Sequence, residues 1–169
     1  MKLTLSSAAL VLAATLSAQN PLTTETKALH DGVKNNILRA AEKMPEENYS
    51  FKPTPDIRSF GQLIGHIADA QHLFCAPVKD EKKGPPGIEK TKTSKADLIA
   101  ALKEGFDYCD SAYAAMDDSK ATATVKFFGR ERPKVVVLGF NTSHNNEHYG
   151  NIVTYMRLKG MVPPSSERR

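Results

Sequence analysis

Two histidines, His144 and His148, stand four residues apart in the run Phe140-Asn-Thr-Ser-His-Asn-Asn-Glu-His-Tyr-Gly150. The surrounding apolar period is helical. A helix advances about 100° per residue, so the two imidazoles share one face about 40° apart, the spacing at which two rings grip one ion. They interrupt an inward line of Val137, Asn141, His144, His148, Ile152 and Tyr155, where a packed helix would carry leucine. Burying imidazoles and carboxamides without partners costs roughly 1 to 3 kcal/mol each, and a divalent cation satisfies several at once.

A third imidazole, His66 in Gly65-His-Ile-Ala-Asp69, falls on the inward side of its own segment, three residues after Leu63 and four before Ala70. Three neutral nitrogens leave at least one coordination position for water or substrate, as in a reactive zinc site rather than a closed structural one. With waters completing an octahedron, the same set suits nickel. The alternative without an ion is a hydrogen-bonded polar cluster in the core or at a homodimer interface. Asn141, Glu147, Asn151 and Tyr155 are the candidates to orient ligands or substrate around such a site.

His144-Asn-Asn-Glu-His148 also fits the inverted zinc-peptidase pattern HxxEH, whose third ligand is commonly a downstream glutamate. Only Glu167 follows, so that reading is the weaker one. His72, about 240° around the helix from His66, and His30, beside Leu29, read as surface or boundary residues. Arg157 reads as a helix-terminal cation facing the dipole.

Four helical segments must position these residues. Leu29, Val33, Ile37, Ala40 and Met44 mark the first, from about Thr24 to Met44, and Pro45, Pro53 and Pro55 hold open the linker that follows. Ser59 with Gln62 is a capping box, after which Phe60, Leu63, Ile67, Ala70 and Phe74 carry the second segment to about Cys75. Residues 76–93 have charge and breakers but no period, so a long exposed connection is expected, one that permits the helices it joins to run parallel. Ser94 opens the third segment, which runs to about Asp117. Thr122 to Phe128 with Gly129-Arg130 allow a short strand and turn. Pro133 is placed as the first residue of the fourth segment, and Gly160 with Pro163-Pro164 closes it. The expectation is an all-α four-helix bundle, up-up-down-down with long crossover loops, its site built from side chains on facing helices.

The chain has 169 residues. Lys2, the apolar run Leu3 to Leu16 and the small pair Ser17-Ala18 have the layout of a secretory signal peptide, residues 1–18, leaving 19–169 as one domain of near-modal size. That apolar run is too short for a stable membrane anchor, and export to the periplasm or the extracellular space is expected. Loss of Lys2 takes the formal charge from +4 to +3, with the basic residues dispersed, so nucleic acid is not an expected partner. Cys75 and Cys109 in an oxidising compartment allow a disulfide, while Cys109 on an apolar helix line equally allows a buried thiol. There is no Gly-rich phosphate loop and no GxSxG elbow.

The stretch Ser50-Phe-Lys-Pro-Thr-Pro55, then Arg58-Ser-Phe-Gly-Gln-Leu-Ile-Gly-His-Ile-Ala-Asp-Ala70, then His144-x-x-x-His148-x-Gly150-x-Ile152-x-x-Tyr155-x-Arg157-x-x-Gly160 resembles the DinB-like superfamily of damage-inducible proteins. This family is distinct from the translesion DNA polymerase that shares the name. The resemblance covers essentially the whole mature chain. It implies a four-helix bundle with His66, His144 and His148 around a divalent ion, often zinc or nickel. Family members with assigned roles resemble S-transferases and isomerases that use low-molecular-weight thiols. This chain departs in its leader and in having Gln71-His-Leu-Phe74 where tryptophans are frequent. The function expected is an exported metal-dependent enzyme activating water or a thiol on a small molecule, a hydrolase or thiol-dependent transferase; the alternative is a non-catalytic metal or small-ligand binding protein.

Overall fold

The structure is a computed structural model that describes residues 20–167. The expected signal peptide, 1–18, lies outside the described residues. Among the described residues there are five α-helices: α1 (Pro21–Lys43), α2 (Phe60–Val78), α3 (Ile88–Thr91), α4 (Lys95–Ala114) and α5 (Lys134–Leu158). A hairpin of β1 (Thr124–Phe127) and β2 (Arg130–Pro133) precedes α5, so the strand and turn allowed by the sequence form a two-stranded antiparallel sheet.

Local chemistry sets the helix ends. Pro21 occupies the first turn of α1, the Ser59 hydroxyl accepts from the Gln62 amide in a complete capping box, and Ser94 accepts from Asp97. Pro133 is the residue before α5 rather than its first member. The second helix runs past the expected end at Cys75 because Val78 is a core residue. Phe128 and Gly129 take φ of 46° and 76°, the two left-handed positions of a tight hairpin turn.

Side-chain partners give the helix directions. His30 on Asp110 and Lys95 on the Met44 carbonyl set α1 antiparallel to α4. Gly61 beside Leu98 and Cys75 bonded to Cys109 set α2 parallel to α4. Gln71 on Asn145 and Tyr155 on the Arg58 carbonyl set α5 antiparallel to α2. The four long helices therefore run up, down, down, up, which corrects the up-up-down-down expectation. The cause is the Pro45–Ser59 segment, which folds back so that the Phe60 and Gly61 amides donate to the carbonyls of Phe51 and Tyr49, starting α2 where α1 ends. The long connection between α2 and α4 does join parallel helices.

The apolar interior forms two clusters. One gathers Ile37, Phe60, Ile64, Leu102, Phe106 and Ile152, the other Phe74, Val78, Cys109, Val125, Phe127 and Val137. Where α2, α4 and α5 pass from one cluster to the other, the fully buried Gln71, Asn141 and Asn145 are packed. His30 is also fully buried, contrary to the surface or boundary assignment. Its ring stacks on Tyr113 with centroids 4.0 Å apart. The buried stripe of α1 runs through His30, Val33, Ile37 and Ala40 and continues to Met44 just past its end, and Leu29, beside it, is exposed.

Candidate metal centre

Helix α2 presents His66, and α5, antiparallel to it, presents His144 and His148 one turn apart. The three rings converge on their Nε2 atoms: His66 to His144 is 3.2 Å and His148 to His144 is 3.0 Å. One nitrogen from each ring lies within 4.8 Å of the others. Metal–imidazole bonds of about 2.0 to 2.1 Å place neighbouring nitrogens about 2.9 Å apart at octahedral angles and about 3.4 Å apart at tetrahedral ones, so the observed spacings fall inside that range.

The second nitrogen of His66 decides its tautomer. Its Nδ1 lies 3.1 Å from Glu89 Oε2, and a carboxylate only accepts, so a neutral His66 donates from Nδ1 and turns an Nε2 lone pair toward His144 and His148. Asn151 Nδ2 approaches His148 Nδ1 at 3.5 Å, and His144 Nδ1 is buried with no partner among the described residues. Three nitrogens aimed at one point, one of them held as a lone pair, are a donor set that could hold an ion.

Glu89 reaches His66 through a local device. Asp69, three residues beyond His66, accepts the amides of Gly87 and Ile88 on Oδ1 and of Glu89 on Oδ2 at 2.7 to 3.0 Å, fixing the start of α3. Gly65 makes room, since a Cβ there would lie 2.8 Å from the Glu89 Cα. The other Glu89 oxygen accepts from Arg58 Nε at 2.8 Å.

Below His144 three buried carboxamides close a ring: Gln71 Nε2 donates to Asn145 Oδ1, Asn145 Nδ2 to Asn141 Oδ1, and Asn141 Nδ2 to Gln71 Oε1, at 2.9 to 3.1 Å. Asn141 Nδ2 also lies against the sulfur of Cys109. Cys75 and Cys109 are joined as a disulfide with Cα atoms 5.3 Å apart.

Burial and the neighbouring charges of His148 and His66 push His144 down to about 3. Burial, with His66 and Arg58, pushes His148 down to about 4. Both rings are therefore neutral near pH 7, the form in which an imidazole can ligate an ion. Burial raises the Glu89 carboxyl, but Arg58 and His66 outweigh it and hold the group below its usual range. Two cavities meet at the triad. A polar one of about 560 Å³ is lined by Arg58, Gln62, Glu147, His148, Asn151 and Tyr155, among others. An apolar one of about 350 Å³ is walled by Ala70, Leu73, Phe74 and Pro85 beside His66 and His144.

The three histidines expected from spacing are thus brought together. Asn151 reaches His148, and Glu147 and Tyr155 line the polar cavity, where the Tyr155 hydroxyl donates to the Arg58 carbonyl at 2.6 Å. Asn141 belongs to the amide ring rather than to the triad. Arg157 bonds Ser166 at the surface. Glu167, the only downstream carboxylate available to an HxxEH zinc site, pairs with Arg39 and Lys43 instead, and the third nitrogen comes from His66. His72 pairs with Glu104 at the helix surface. A second cluster, His30, Asp31 and Asp110, already has the Lys34 ammonium on Asp110 and does not fit an ion. Sequence reasoning missed Glu89, Asp69 and Asn145. Only Asn145 carried a signal, four residues after Asn141 on the same buried face.

A family model described as the DinB superfamily matches residues 29–152. The uncharacterized protein YjoA of Bacillus subtilis is 27% identical over 137 residues, covering 78% of this chain and 84% of that protein. Among solved structures, a DinB-like protein from Bacillus cereus superposes with a TM-score of 0.74 at 19% identity, over 83% of this chain and 95% of that one. The crystal structure of YjoA gives 0.68 at 23% identity, over 86% and 99%. At those identities the structural likeness speaks for the fold.

Proposed function

On the premise that the chain belongs to the DinB superfamily, we propose that His66, His144 and His148 hold one divalent cation, zinc or nickel, at the centre of a metal-dependent enzyme acting on a small molecule. The observation that carries this is the convergence of three Nε2 atoms with the far nitrogen of His66 committed to Glu89. Three imidazoles select borderline transition ions over magnesium or calcium. An ion held there would supply a Lewis acid able to acidify a water or thiol.

The protein's own groups do the rest. Glu89 holds the His66 ring in one tautomer, and Asp69 holds Glu89. Arg58, fixed by Glu89 at its side chain and by Tyr155 at its carbonyl, offers its remaining guanidinium N–H groups to the polar cavity with Asn151, to bind and orient a polar substrate. The Cys75–Cys109 disulfide favours an oxidising compartment, hence export of residues 19–169 and a hydrolase over a thiol-dependent transferase. The four long helices are read as one four-helix bundle.

A second reading, metal or ligand binding without turnover, draws on Glu89: it is bonded to His66 and Arg58, and no other carboxylate hydrogen-bonds to the triad among the described residues. Metal content by mass spectrometry on mature protein, beside a His144→Ala/His148→Ala double variant, tests the centre. The expected result is near-stoichiometric ion in the first and background in the second. No ion in either after incubation with zinc and nickel would return the histidines to a polar core patch.

A further inference from the structure

The apolar cavity beside His66 and His144 has no role in the site as described. Its wall of Ala70, Leu73, Phe74 and Pro85 offers no hydrogen-bonding side chain. The carboxylates at its rim are occupied, Asp69 by three backbone amides and Glu89 by His66 and Arg58, and the exposed Lys90 adds a cation at the rim. A polar group laid against Ala70, Leu73, Phe74 and Pro85, away from Lys90 and the histidines, would lose its water without replacement.

The wall continues outward as aromatic rings. Phe74 meets His144 at 5.0 Å between centroids, Phe140 at 5.3 Å and Phe128 at 6.4 Å. Phe140 and Phe128 are 46% and 65% exposed, so core packing does not account for them. Phe128 also occupies a left-handed turn position, φ 46°, that glycine and asparagine take at lower cost. A strained, exposed aromatic that the cavity wall reaches through Phe74 is a binding feature in want of a ligand.

We infer that the substrate is a small amphiphile, with an ion-binding polar head at the histidine triad and an aliphatic chain laid along Leu73 and Phe74 toward Phe140 and Phe128. This rests on the metal-centre reading above. The ligand class is an acyl or alkyl compound with a compact anionic or chelating head, and the polar cavity receives the remainder of the head group.

Straight-chain hydroxamates from acetohydroxamate to octanohydroxamate, titrated by calorimetry into zinc-incubated protein whose metal content is measured on the same sample, test this. The affinity rises roughly fourfold for each methylene buried until the chain leaves the wall. Leu73→Ser, which adds neither charge nor a strong metal ligand beside His66 and His144, flattens the series, leaving zinc content and acetohydroxamate binding as in the parent. Phe128→Asn, which suits the turn and so keeps the fold, weakens octanohydroxamate alone. A flat series in zinc-containing parent protein overturns the inference and leaves the metal centre standing. Parent protein that takes up no zinc overturns both.

Discussion

His66 stands apart from the other two histidines in having a carboxylate on its far nitrogen, and its strength as the proposed metal ligand would depend on that partner. A carboxylate accepting from a metal-bound imidazole makes the ring more basic and fixes its plane, and loss of such a partner costs 10- to 100-fold in metal affinity. Glu89→Gln is therefore predicted to weaken zinc binding by roughly that factor in a chelator competition, with the thermal midpoint of ion-free protein unchanged. An unaltered affinity would make Glu89 a bystander. The depressed histidines carry a second prediction. Because the fold holds His144 at about 3 and His148 at about 4 against a free value of 6.5, the unfolded chain binds protons that the ion-free fold refuses. The stability of ion-free protein is thus full above pH 6.5 and falls as pH drops toward 4, by up to about 1.4 kcal/mol per pH unit for each group. Urea midpoints on either side of that window check the slope, and a level profile would contradict the burial of these rings.

Among the elements, the four-residue helix α3 matters beyond its size, because it is the arm that delivers Glu89. Gly65→Ala should act on it directly. The new methyl would improve the helix propensity of α2 by about 1 kcal/mol, yet it would meet the Glu89 backbone at 2.8 Å, which a flexible side chain cannot relieve. The expected outcome is a loss of zinc affinity like that of Glu89→Gln with unchanged helix content by circular dichroism; retained affinity would show that α3 can shift without moving the carboxylate. Residues 76–93 also show where the sequence stops being legible. His66, His144 and His148 were readable because helical period and i,i+4 spacing act within a few residues. Glu89 was not, since its partner lies 23 residues away in a stretch without period and depends on an Asp69 cap that only the folded backbone creates. His30 failed for another reason: the stripe of α1 was phased on Leu29, which is exposed, although His30 keeps the three-and-four rhythm of Val33, Ile37 and Ala40. The direction of α2 was misread because the prolines after Lys43 suggested an open linker, whereas backbone hydrogen bonds from Phe60 and Gly61 fold it into a return.

For the whole molecule, the covalent link between α2 and α4 joins residues 34 apart in sequence across the parallel pair. Closing a loop of that length removes roughly 4 kcal/mol of unfolded-chain entropy on the chain-entropy account. Cys75→Ser/Cys109→Ser protein should accordingly show a clearly lower denaturation midpoint, and so should the parent under reductant; equal midpoints would mean that the bridge stabilises nothing. The amide ring beside that bridge has a different consequence. Gln71, Asn141 and Asn145 each give one hydrogen and take one, around a closed circuit spanning two helices, so no member can be changed without stranding two neighbours in a dry interior. Sliding or rotating α5 by a single residue would break both bonds to Gln71 together. The circuit acts as a keyed joint: α5 has one seating against α2, and in that seating His144 and His148 face His66, so these three positions are free to vary in descent only as a set.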